Sequence, residues 1–122
     1  MKHLEQAHKY IDNAKEILRE KGQKKGKYYR NAKYVKIAGN TAYNGLLLAL
    51  DSLLGAKRNG GNSMEWYMEE LSKLDDKMLY SFTSAYETLH LSMGTGGHPS
   101  TNVVDDGLEE AVNIIHWVET KT

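Results

Sequence analysis

The sequence contains no cysteine and only one proline, Pro99. Without cysteine there is no disulfide framework, no thiolate nucleophile and no thiolate metal ligand, which suits a reducing compartment. With a single proline, little stands in the way of long helices. No apolar run approaches the roughly 18 residues that a membrane span needs. The opening stretch, MKHLEQAHKYIDNAKEIL, places early charges on an amphipathic pattern and lacks a signal-peptide core. A soluble, cytoplasmic protein with no membrane partner is expected. Net charge is missing too: 16 basic residues balance 16 acidic ones. This excludes a globally basic nucleic-acid binder and a highly charged tail. There is no internal repeat and no low-complexity segment.

What is present is helical periodicity. A chain of 122 residues fits one domain, 1–122, with a real core. The most apolar stretch is NAKYVKIAGNTAYNGLLLALDSLL, residues 31–54. There Ala32, Val35, Ala38, Ala42, Leu46, Ala49 and Leu53 step by three or four along one helical face. Tyr43, Leu47, Leu50 and Leu54 form a second stripe, so this helix is expected at the centre of the molecule. Gly39 and Gly45 each cost about 1 kcal/mol against alanine inside a helix. With the alanines they leave a smooth surface that another helix can approach.

Three further helices are read around it. Leu4, Ala7, Ile11, Ala14 and Leu18 give a seam over 2–21, with Gly22 as its stop. Asn62 and Glu65 have capping-box spacing. Trp66, Tyr67, Leu71, Leu74, Met78, Phe82, Ala85 and Leu89 then continue a helical pattern across Asp75–Asp76, read as one long helix, 63–93. Val104, Leu108, Ala111, Ile115 and Val118 give the last, 100–120. With the central helix at 28–56, the expectation is an all-α, antiparallel four-helix bundle.

The charge is segregated. Lys21, Lys24, Lys25, Lys27, Arg30, Lys33 and Lys36 fall within sixteen residues that contain no acid. The remainder has nine basic and sixteen acidic residues, a balance of −7. Tyr28, Tyr29 and Tyr34 are interleaved with the basic run. Cations that neutralise phosphates beside rings that stack on bases make a candidate RNA or single-strand surface. Docking on the acidic part of a second subunit is the other use of such a patch. A ligand pocket between helices is a further candidate, at Asn40, Tyr43, Asn44, Tyr86 and His90.

Glu-x-x-His occurs twice, at Glu5–His8 and Glu87–His90. Paired on a bundle, it is the di-iron carboxylate signature, but that site needs a glutamate from each remaining helix. The central helix has Asp51 as its only acid. His90, His98 and His116 are separate positions that no spacing brings together. No P-loop, dinucleotide fingerprint or nucleophile elbow is present. No catalytic residue, metal site or cofactor is expected.

Two stretches carry a family resemblance. One is the Tyr-x-x-Ala start at Tyr29–Ala32 leading into AYNGLLLALDSLLGAK; the other is AYETLHLSMGTGG before the final amphipathic helix. Together they resemble the HEPN superfamily and small bacterial helical-bundle proteins related to it, including the break at Leu53, Leu54 and Gly55. Ribonucleolytic members carry an arginine, four to six spacer residues and a histidine. Arg19, Arg30 and Arg58 have no histidine at that distance. The resemblance therefore implies a non-catalytic interaction module that forms a homodimer and binds a protein or nucleic-acid partner.

Overall fold

The computed structural model describes residues 2–55 and 62–122; the glycine-rich break expected between them lies largely outside the described residues. The chain is all-α. Its α-helices are α1 (Lys2–Lys21), α2 (Ala32–Leu54), α3 (Met64–Ser72), α4 (Asp76–Ala85) and α5 (Thr101–Lys121). A π-helix, Tyr86–Thr95, continues α4, and a short hairpin of β1 (Lys24–Lys25) and β2 (Tyr28–Tyr29) follows α1. Among the described residues, no helix is long and apolar enough to cross a membrane.

The apolar stripes account for the packing. Leu4, Ala7, Ile11, Ala14 and Leu18 of α1 are all buried. So are Val35, Ala38, Ala42, Leu46, Ala49 and Leu50 of α2, and Val104, Leu108, Ala111, Ile115 and Val118 of α5. Tyr67 and Leu71 of α3 and Phe82 and Ala85 of α4 join the same cluster. Helix α2 packs against α1, the π-helix and α5, as its two-sided apolarity requires. The small residues are used within the chain. A Cβ added at Gly39 would lie 2.5 Å from the Leu89 carbonyl oxygen and 2.8 Å from the Gly94 nitrogen. One added at Gly45 would lie 2.7 Å from Tyr10 Cβ. The glycines thus let α1 and the π-helix approach α2.

Three boundaries differ from the sequence reading. The central helix starts at Ala32, not residue 28, because Tyr28 and Tyr29 form β2. Lys24 pairs with Tyr29 and Lys25 with Tyr28. The two-residue loop between them has positive φ only at Gly26 (61°), the pattern of a type II′ turn. The hairpin is tied to the start of α5: Tyr29 N donates to Pro99 O at 2.8 Å, and Thr101 N donates to Lys27 O at 2.9 Å.

The expected single helix over 63–93 is three segments. Helix α3 closes at Ser72, and Leu74 and Asp75 donate back to Leu71 O, both at 2.9 Å. Asp75 is extended, and its carboxylate accepts from Lys77 N and Met78 N, capping α4. The seven-residue step from Leu71 to Met78 survives the break, so the apolar pattern hides it. Beyond Ala85 the helix widens to π geometry and carries Leu89 and Met93 onto Gly39. Ser63, not Asn62, caps α3, its hydroxyl accepting from Trp66 N at 3.2 Å.

Candidate functional site

The hairpin sorts the basic run into two faces. Cross-strand partners share a face of a two-stranded ribbon. The Lys24/Tyr29 face turns toward α1 and α5, where both side chains line a groove of about 570 Å³ with Lys15, Arg19, Asp105 and Glu109. Tyr29 is half-buried there, and burial, then the Asp105 charge, pushes its hydroxyl above the usual tyrosine range. The Lys25/Tyr28 face is left to solvent, with Tyr28 60% exposed. Lys27 in the turn and Arg30 just after β2 are exposed next to it in the chain, and Lys33 and Lys36 on the first turns of α2 are exposed as well. Lys21 and Lys33 place their ammonium groups 5.3 and 5.6 Å from the centre of the Tyr34 ring. Among the described residues the ion pairs are His8–Glu119, Arg19–Glu16 and Lys73–Glu70. None uses a cation of the basic run.

The five residues expected to line a pocket are only partly brought together. Tyr43 and His90 ring centres are 5.1 Å apart, Tyr86 and His90 5.4 Å, and Tyr43 and Tyr86 5.8 Å. This cluster joins α2 to the π-helix. His90 lies midway along the π-helix, and its Nδ1 is buried without a hydrogen-bond partner. Burial, followed by Tyr86 and Glu65, pushes the Tyr43 hydroxyl well above its ordinary range. Asn40 and Asn44 are both exposed. Asn40 donates to Gly94 O at 3.2 Å, tying α2 to the end of the π-helix. Asn44 lies in a separate groove with Gln6, Tyr10, Asp51 and Tyr67. Tyr67 donates to Asp51 Oδ1 at 2.6 Å.

His98 Nδ1 accepts from Ser100 N at 3.2 Å, a local turn bond. His116 lies beside His8 and Glu119 instead. Sequence reasoning missed that grouping because its residues come from the first and last helices. Its trace in the sequence is His-x-x-Glu at 116–119, the reverse of Glu-x-x-His.

An all-α domain with a cationic, aromatic-bearing hairpin is thus the class that fold and site define. The chain belongs to the family described as Domain of unknown function (DUF5618), which it matches over residues 2–120. It is also similar to a solved protein of unknown function from Dyadobacter fermentans. The two are 42% identical, with a TM-score of 0.92, and the match covers 98% of this chain and 95% of that one. No curated protein matches it.

Proposed function

We propose that this chain is a non-catalytic interaction module, a HEPN-like four-helix bundle that binds single-stranded nucleic acid through the outer face of its hairpin. In this reading the broken segment α3–α4–π-helix counts as the third helix. The observation that carries the proposal is the pairing of Lys25 with an exposed Tyr28, flanked by Lys27 and Arg30, with no acid in the run. Phosphates meet uncompensated cations, and a base meets the tyrosine ring. The absence of the HEPN arginine–histidine spacing supports binding without cleavage.

A homodimer is the second part of the reading, and a separate observation favours it. Between α1 and α2 runs a groove of about 600 Å³ lined by Tyr10, Ile17, Tyr34 and Ile37. Tyr10 and Ile37 are 39% and 40% exposed, although both helices have already filled the core. Glu16, Glu20 and Lys21 border this strip, so a second copy related by a two-fold axis meets both apolar surface and opposite charge.

Light scattering on purified protein, with absorbance at 260 and 280 nm on the same peak, tests both parts. The expected result is twice the chain mass and co-purifying nucleic acid that is lost in K25E/K27E. A monomer would remove the dimer. A wild-type protein that binds no oligonucleotide at low salt would remove the nucleic-acid reading.

A further inference from the structure

We infer that His8, His116 and Glu119 form a binding site for a zinc-class divalent cation that clips α1 to α5. Each residue offers one ligand atom, and the three atoms lie within 4.8 Å of one another. His8 Nε2 and Glu119 Oε1 are already 3.3 Å apart. In a tetrahedral shell with bonds of about 2.1 Å, neighbouring ligand atoms stand about 3.4 Å apart. That edge of the shell therefore exists before any ion is added. The wider separations exceed it by at most about 1.4 Å, which rotation of exposed side chains on fixed helices can absorb. His116 and Glu119 are three apart on α5, so they project from one face. His8 comes across from α1, which packs on α5. The His8 and His116 rings are 5.8 Å apart and tilted by 47°, which leaves room between them.

The donor set identifies the ion. Two imidazoles and one carboxylate suit zinc and its first-row neighbours, whereas magnesium and calcium favour an all-oxygen shell. Three protein ligands leave a fourth position toward solvent, since His8 and Glu119 side chains are 37% and 41% exposed. The bound ion would bridge helices near the two ends of the sequence. Because it binds the folded chain and not the unfolded one, it would raise the melting temperature.

The test is titration of the untagged, metal-free full chain with Zn2+ by calorimetry, with Co2+ absorption reporting ligand geometry. One ion per chain is expected, with a Zn2+-dependent rise in melting temperature. H8A, H116A and the near-isosteric E119Q should each weaken binding about tenfold or more. H3A and H98A, which alter exposed histidines outside the cluster, should leave it unchanged. All three ligand side chains are partly solvent-exposed, so the metal-free variants should melt with the metal-free wild type. No saturable binding to the wild type, or equal affinity in H8A/H116A, would overturn the assignment.

Discussion

At Gly39 the backbone of α2 meets the π-helix with no side chain between them. Alanine there gains about 1 kcal/mol of helix propensity. Its Cβ, however, meets Leu89 O at 2.5 Å and Gly94 N at 2.8 Å, backbone atoms that cannot rotate away. Overpacking of this kind costs about 1–3 kcal/mol. G39A should therefore destabilise the fold by up to about 2 kcal/mol in a urea melt, and a gain in stability would mean the π-helix is not seated on α2. Tyr43 makes a second residue-scale prediction. An unfolded tyrosine ionises near pH 10, about its ordinary value. In the fold, burial and the neighbouring Tyr86 and Glu65 hold Tyr43 neutral above that. A raised pKa gives stability that is full below about pH 10 and is lost as pH climbs past it. The fall in urea midpoint between about pH 8 and about pH 11 should be smaller in Tyr43→Phe than in the wild type. An equal fall would show that Tyr43 ionises as freely in the fold as in the unfolded chain. Tyr67, raised by burial and then by its bond to Asp51, adds to the same alkaline loss.

Among the elements, α4 depends on a cap that composition only hints at. The Asp75 carboxylate accepts from Lys77 N at 2.8 Å and Met78 N at 3.2 Å. Removing such a cap costs about 1 kcal/mol. D75A should lower stability by that amount, while D75N should recover most of it; a neutral D75A would mean that α3 and α4 run on as one helix. The same element shows what the sequence can reveal. The seams of α1, α2 and α5 were legible because each stripe has one period and one buried face. The break at Asp75 was not, since Leu71 and Met78 keep helical spacing across it. The hairpin was hidden for a different reason. Its strands are two residues long, and it is held by the start of α5, 70 residues further on. The basic run could be read from composition, but the two faces of the ribbon come from its register. Tyr43, Tyr86 and His90 could be grouped by helical position. Asn40 and Asn44 could not be oriented, because the strip of α2 that carries them lies at the exposed margin of its contacts with the π-helix and α1 and gives no periodic apolar signal. His8 and His116 were visible only as separate letters, because the contact between first and last helices is set by topology.

For the whole molecule, a net charge of zero conceals two regions of opposite sign. The stretch from Lys21 to Lys36 carries seven cations, and the remainder sums to −7. Such a molecule would meet a polyanion preferentially hairpin first, because the rest of the chain carries a net negative charge. Binding would be weaker than for a uniformly basic domain and strongly dependent on salt. The measurement that tests this most directly is fluorescence anisotropy of a labelled single-stranded oligonucleotide, titrated with protein across a salt series. With four to six phosphates neutralised, log K should fall against log salt with a slope of about −3 to −4. K25E/K27E should flatten that slope, and Tyr28→Ala should weaken binding about tenfold while leaving the slope unchanged. Affinity independent of salt, or equal in wild type and K25E/K27E, would contradict the hairpin as a nucleic-acid surface.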